Sequence, residues 1–273
     1  CNLGDTNQLD NIINLHKPKI IFHTAAYKHV NILESESNYI SAIENNILNT
    51  YSFLNILNKY GCDEFIFIST DKAVNPSSLM GKTKRFGEIL CSYFEKLDDK
   101  KIKKFTTVRF GNVISSAGSV IPLFISQIKN RLPVTITDPN VTRYFMTIEE
   151  AVGLILQSTI LNEKSSKYML KMGKPIKIEE IAKKLIKYYG FKVGNGLDDN
   201  TIKIDYVGLK KGEKLHEDLG NSSDFKFTNH PDIFLIEDDI MKIQNIIDEI
   251  PKSFKENNKS NLKLIKNLLE NIN

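Results

Sequence analysis

Short apolar runs alternate with helical periods along the first half of the chain. Lys19–Ala26 (KIIFHTAA) and Phe65–Ile68 (FIFI) are brief apolar stretches bounded by turn residues, the pattern of strands buried on both faces. Between them, Ile40, Ile43, Ile47, Tyr51, Leu54 and Leu57 recur at helical spacing and Gly61 supplies a stop. A long sheet-packing helix is therefore predicted over 37–60. From Met80 the period is helical again, with Phe86, Ile89, Leu90, Tyr93, Phe94 and Leu97 on one face. Lys104–Gly111 (KFTTVRFG) alternates as a third strand. Strands separated by helices predict an α/β fold with a doubly wound parallel sheet.

Further on, VTITD (134–138) and RYFMT (143–147) bracket a Pro-Asn turn, and Thr147 with Glu150 forms a T-x-x-E capping box ahead of an apolar helix through Ile160. A strand at 168–172, an amphipathic helix at 178–189 closed by Gly190, and a strand at 202–208 follow. This second alternation suits a smaller carboxyl-terminal lobe. The expected division is 1–165 and 166–273, with some elements of the lobe already within 113–147. After Asn221 the sequence turns polar and rich in Asn and Lys, broken by 232–236 and by a last helix near 262–269. That composition argues for mobility and shows no chemistry.

Composition narrows the function classes. At 273 residues and 41% hydrophobic content the chain can bury a substantial core. The formal net charge of +4 comes from lysines scattered among acids, without a basic stripe, so nucleic acid is not an expected partner. Cys1, Cys62 and Cys91 fit neither a disulfide framework nor a metal spacing, which predicts thiols that pack, a reducing cytoplasm and no metal site. No run approaches the roughly 18 apolar residues that cross a bilayer, so this segment is expected to make no membrane contact. The chain opens on Cys1 and contains no G-x-G-x-x-G turn, from which we expect the amino-terminal strands of a dinucleotide fold to be missing from it.

Candidate chemistry concentrates where the FIFI strand stops. Ser69, Thr70, Asp71 and Lys72 bring hydroxyls, a carboxylate and an ammonium to the carboxyl end of a parallel strand, where open sheets place their ligands, and Lys84 lies one turn inside the following helix. Asn45 and Asn46 are polar at mid-helix, where Asn is an indifferent helix former and can bond to nearby backbone.

The segment STDKAVNPSSLMGKTKR resembles the active-site segment of the extended short-chain dehydrogenase/reductases, specifically the nucleotide-sugar 4,6-dehydratases. Their usual Y-x-x-x-K reads Met80-x-x-x-Lys84 here, which is similar to the large, membrane-anchored UDP-N-acetylglucosamine 4,6-dehydratases that carry Met in place of Tyr. Four further segments agree in order: AAYKHV, RFGNV, TRYFMT and GEKL. The resemblance implies a Rossmann-like domain with a substrate-binding lobe, NAD as cofactor, a UDP-sugar substrate and a homo-oligomer. It implies that the full-length protein is anchored to the inner membrane by an amino-terminal region, with this segment in the cytoplasm.

It also implies roles. Thr70, Asp71, Lys72, Met80 and Lys84 are the catalytic set, with Lys72 as base and Asp71 as acid, which needs a neutral lysine beside a protonated acid. Asp5, Ala25, Ala26, Asn45 and Lys84 face the cofactor. Lys28, Asn112, Arg143, Lys210 and Glu213 face the substrate, Arg143 offering a fork that matches phosphate oxygens. In GLKKGEKLHEDL (208–219) Lys210 stands where the family has Arg and Lys211 where it has Pro, so charge is kept while the fork and the rigid turn are not. The implied reaction converts UDP-N-acetylglucosamine to a 4-keto-6-deoxy sugar. The rival readings are an epimerase or reductase of the same superfamily, which needs a Tyr-type acid/base, and an inactive fragment.

Overall fold

The computed structural model describes residues 1–28, 33–34, 36–114, 116, 118–161, 164–198, 200–220, 222–237, 244–250 and 259–272. His29 and Val30 of AAYKHV lie outside them. The chain divides into two compact units.

The first unit comprises 1–110, 154–171 and 218–273. It opens with α1 (Thr6–His16), capped by Asp5, whose Oδ1 accepts from the Gln8 amide at 3.0 Å. Its six-stranded sheet runs in the order β1-β2-β3-β8-β14-β13. Strands β1 (Ile20–His23), β2 (Cys62–Ile68), β3 (Ile102–Arg109) and β8 (Ser166–Leu170) are mutually parallel, each beside the next. β14 (Ile233–Ile236) and β13 (Phe225–Phe227) then add antiparallel.

The register places Phe65 beside Phe105 and Phe67 beside Thr107, so one sheet face presents aromatic rings to the helices. Those helices are α2 (Glu36–Ile43), α3 (Asn49–Tyr60) and α4 (Leu79–Glu95). Phe65, Phe67, Ile47, Leu54, Leu57, Phe86 and Ile89 share the resulting core. The predicted long helix over 37–60 is thus two α-helices joined by a π-helical turn at Glu44–Leu48. Two glycines set the approach of α4: a Cβ at Gly87 would overlap the Phe67 ring, and one at Gly81 would overlap the Lys72 carbonyl oxygen.

The second unit comprises 111–153 and 172–217. Its core holds Phe124 and Ile128 from α5 (Val120–Lys129), and Ile178, Ala182 and Ile186 from α7 (Ile178–Tyr188). Around these lie two-stranded ladders. β4 (Asn112–Val113) pairs with β7 (Phe145–Met146), and β6 (Thr142–Arg143) with β9 (Ile176–Lys177). β5 (Val134–Ile136) pairs with β12 (Ile204–Tyr206), and β10 (Lys192–Val193) with β11 (Thr201–Ile202). The strand expected over 202–208 is therefore two short ones with different partners. The capping box forms as read, Thr147 N–H donating to Glu150 Oε2 at 2.7 Å and Glu150 N–H to Thr147 Oγ1 at 3.1 Å, and it opens α6 (Ile148–Ser158).

The division differs from a single cut at 165/166. Strands late in the chain return to the first sheet, β8 through its ladder to β3 and β14 through its ladder to β8. The polar tail is packed: α8 (Lys259–Glu270) lies against α2 and α4, and its Ile265 and Leu269 are fully buried.

Candidate active site

Thr70 ends the extended run of β2 and caps a single 3₁₀ turn, Asp71–Ala73. Its hydroxyl donates to Asp71 Oδ1 at 2.9 Å, and Lys72 Nζ donates to the same oxygen at 2.9 Å. Asp71 is fully buried, and among the described residues its Oδ2 has no hydrogen-bond partner. The turn is held by the Asp71 amide donating to the Phe110 carbonyl at 3.0 Å. Asn75, in the left-handed region at φ 43°, redirects the chain toward α4, and its side-chain amide donates to Asp218 Oδ2 at 2.8 Å.

Lys84 enters this site from α4. Its Nζ donates to the Ile68 carbonyl at 2.7 Å and sits 5.0 Å from the Phe67 ring centroid. Burial lowers its pKa to about 8 against the opposing pull of Glu88. Met80, one turn earlier, is buried in the core, and its carbonyl accepts from the Thr83 hydroxyl at 2.9 Å. A thioether has no proton to exchange, so Met80 contributes shape.

Beyond β1, Ala25 and Lys28 are exposed and Ala26 is half-buried, leaving a loop of small side chains before Tyr27. That loop is fixed by Asn46, the residue after Asn45. The Tyr27 amide donates to Asn46 Oδ1 at 2.7 Å, and Asn46 Nδ2 donates to the Tyr27 carbonyl and to Thr83 Oγ1, each at 3.0 Å. Asn45 instead donates to Asn46 Oδ1 at 3.0 Å. Of the two asparagines read as able to bond nearby backbone, Asn46 is the one that orders the loop, because the π turn directs that position into the core. Asp5 is exposed and serves as the cap of α1.

Two buried groups were not singled out by sequence reasoning. His23 lies 5.7 Å from each of the Phe65 and Phe67 rings, with Nε2 3.1 Å from Thr50 Oγ1. Glu88 on α4 accepts from Ser69 Oγ at 2.6 Å, Arg109 Nε at 2.7 Å and Arg85 Nη1 at 2.9 Å. The available signal was polarity at positions whose neighbours are apolar. Cys62 and Cys91 are buried as expected of thiols that pack, whereas Cys1 is exposed; burial raises both buried thiols, Cys62 to about 11.

In the second unit the structure brings Arg143 and Glu213 together. Arg143 Nη2 donates to Glu213 Oε1 at 2.9 Å, Nη1 donates to the Thr142 carbonyl at 2.7 Å, and Glu217 Oε1 lies 3.5 Å from Nε. Glu213 also accepts from the Thr137 hydroxyl at 2.9 Å and, through Oε2, from the Lys210 amide at 3.3 Å. Lys210 is exposed at the head of that turn, and Asn112 is half-buried in β4. Each unit thus carries its own polar cluster. No group of side chains suited to a metal ion occurs among the described residues, and no described helix is long and apolar enough to cross a membrane.

Comparison with known proteins bears on the family and the fold. A family model described as polysaccharide biosynthesis protein matches residues 1–238. The capsular polysaccharide biosynthesis protein CapD of Staphylococcus aureus is 44% identical over 213 residues, covering 78% of this chain and 34% of that protein. The chain therefore spans about a third of that relative's length. The X-ray structure of Pen from Bacillus thuringiensis superposes with a TM-score of 0.76 at 29% identity, over 88% of this chain and 71% of that one. UDP-glucuronic acid 4-epimerase from Bacillus cereus, in complex with UDP-glucuronic acid and NAD, superposes with a TM-score of 0.67 at 21% identity, over 79% of this chain and 70% of that one. That last likeness concerns the fold, a Rossmann-like α/β sheet. With the model match extending over most of its length, this chain belongs to the polysaccharide biosynthesis protein family.

Proposed function

We propose that the chain is the catalytic region of an NAD-dependent nucleotide-sugar 4,6-dehydratase that takes UDP-N-acetylglucosamine to its 4-keto-6-deoxy product. The observation that carries this reading is Asp71. Its carboxyl group is wholly buried at the carboxyl end of β2, with one oxygen engaged by Thr70 and Lys72 and the other without a partner among the described residues. A buried carboxyl oxygen without a donor is costly, and a substrate hydroxyl placed there would satisfy it.

Elimination of water across carbons 5 and 6 needs a base at carbon 5 and an acid at the carbon 6 hydroxyl. Lys72 Nζ and Asp71 Oδ1, 2.9 Å apart, differ from the required neutral pair by one proton transfer. Lys72 then takes the carbon 5 proton, Asp71 protonates the departing hydroxyl, and Thr70 orients the hydroxyl on carbon 4. NAD, when bound, supplies the acceptor and donor of the hydride that leaves carbon 4 and returns at carbon 6. The residues suit its nicotinamide and ribose end: Lys84 offers an ammonium at the carboxyl end of β2, and Ala25 and Ala26 are small side chains following β1. Asp5 and Asn45 complete the cofactor set, the latter through Asn46. Arg143, Glu213, Lys210, Asn112 and Lys28 are assigned to the nucleotide and sugar, with Arg143 exchanging carboxylate partners for phosphate oxygens. An epimerase of this superfamily depends on a tyrosine acid/base, and position 80 holds Met.

The test uses the full-length protein. Asp71→Asn and Lys72→Met should each lower dehydration by about 10²- to 10⁴-fold while leaving binding of NAD and UDP-sugar nearly unchanged. The wild type should place solvent deuterium at carbon 5 of the product, and Lys72→Met should lose that exchange. Near-normal dehydration by Lys72→Met sinks the assignment, and interconversion at carbon 4 without loss of water would make the protein an epimerase.

A further inference from the structure

Glu88 is a buried, heavily engaged carboxylate of the first unit, and the reaction proposed above does not use it. It lies fully buried on α4, one helical turn beyond Lys84. Groups from three strands converge on it. Ser69 reaches it from the end of β2 and Arg109 from the end of β3, through Nε to Oε1 and Nη2 to Oε2. Lys167 Nζ approaches from β8 at 3.1 Å, and Arg85 adds a contact from its own helix. Burial alone would raise its pKa, but Arg109, Lys167 and Arg85 together hold the carboxyl well below the usual range.

The placement of these contacts is more specific than stability requires, since a buried charge cluster of similar volume can be replaced by apolar packing. Beyond the end of β2, the backbone continues to pair with the end of β3. The Ser69 amide donates to the Val108 carbonyl at 2.8 Å and the Asp71 amide to the Phe110 carbonyl at 3.0 Å. Ser69 and Arg109, two of the four side chains that contact Glu88, sit within those two links. Glu88 therefore braces the backbone from which the Asp71 turn hangs. The same helix presents Lys84 Nζ to the Ile68 carbonyl, the residue before Ser69.

From this geometry we infer that Glu88 is a positioning residue: it references the Asp71–Lys72 turn and Lys84 to a single buried carboxylate, so that strand end and helix hold the two groups in fixed register. This rests on the active-site reading for its purpose, but the bracing can be measured without substrate. Charged and titratable groups facing Lys84 are Glu88 and Cys91 on its own helix and His23 on β1.

The test compares Ser69→Ala, Glu88→Asp and Glu88→Gln with Glu64→Gln. Glu64 is a buried carboxylate on β2, ion-paired with Lys104 at 3.1 Å. Hydrogen exchange followed by mass spectrometry should show amides over 69–75 exchanging about tenfold faster or more in Ser69→Ala and Glu88→Gln, the scale of a lost charge-assisted hydrogen bond. Glu88→Asp should do the same more weakly, and Glu64→Gln should not. In ¹³Cε-lysine spectra the Lys84 midpoint should fall in Glu88→Gln and stay in place in Ser69→Ala. Should Glu88→Gln fail to fold, Ser69→Ala and Glu88→Asp decide the matter. Unchanged exchange over 69–75 in both, or equal acceleration in Glu64→Gln, overturns the inference. In the full-length enzyme Glu88→Asp should lower kcat with KM held. Absence of turnover in the wild type would count against the proposed reaction and leave the exchange result standing.

Discussion

A histidine with three aromatic neighbours is an unusual donor, and His23 shows how one side chain sets a pH limit. Thr50 donates its only hydroxyl proton to the Asn46 carbonyl at 2.9 Å, so the 3.1 Å contact from Thr50 Oγ1 to His23 Nε2 requires the ring to donate. The neutral Nε2–H tautomer follows. Burial, helped by Lys84, lowers the His23 pKa to about 3 from 6.5. Between those values the unfolded chain binds a proton that the folded chain refuses, so stability falls as pH falls through the window and the loss is complete below about pH 3. At roughly 1.4 kcal/mol per pKa unit, His23 should account for about 3 kcal/mol of loss by pH 4. Urea unfolding at pH 7 and pH 4.5 should show a smaller difference for His23→Gln, which keeps a donor for Thr50, than for the wild type. Equal slopes would mean that His23 is protonated in the folded state. Sequence could not identify this residue: KIIFH marks position 23 as facing a core, while its partner lies 27 residues away on a helix. Thr70, Asp71, Lys72 and Lys84 were legible because they lie within one strand, turn and helix.

At the scale of elements, α4 couples the fold to the site. Its amino end is capped by Ser78, which accepts from the Gly81 amide at 3.1 Å, and Gly81 lets the helix touch the Lys72 backbone. Gly81→Ala should therefore cost far more than the helix-propensity gain of about 1 kcal/mol would return, and it should displace Lys72. Gly153 on α6 is the contrast: a Cβ there meets nothing within 4 Å, so Gly153→Ala should stabilise by about 0.5–1 kcal/mol. Chemical denaturation of the two variants checks both signs, and a stabilising Gly81→Ala would refute the close approach. Helix, strand and capping-box positions could be read from periodicity because each depends on local pattern. The π turn could not, since Asn46 makes it worthwhile only through Tyr27 and Thr83, contacts that exist after folding.

For the whole molecule, the sequence order of elements hides how the first unit is assembled. A cut at 165/166 follows the alternation of strands and helices, yet 166–171 and 218–273 complete the first sheet and its helical layer. Pattern reading assigns elements and cannot say which ladder a late strand will join. The tail sharpens this. The family match ends at residue 238, and the Asn- and Lys-rich composition beyond it suggested mobility. Nevertheless Ile246, Ile247, Ile250, Ile265, Leu268, Leu269 and Ile272 are buried in the same cluster as Phe65 and Phe67 of β2. If that packing is part of the fold, large-to-small changes outside the family match should cost what central core changes cost. Ile265→Ala and Leu269→Ala are each expected to destabilise by about 2–5 kcal/mol, the range for a buried aliphatic truncated to Ala. Exposed Leu264, on the same helix at 37% exposure, should lose under about 0.5 kcal/mol when changed to Ala, since surface substitutions stay within that bound. The three variants share helix propensity changes of one sign, so the difference between them isolates burial. Equal, small losses in all three would show that α8 adds nothing to the core.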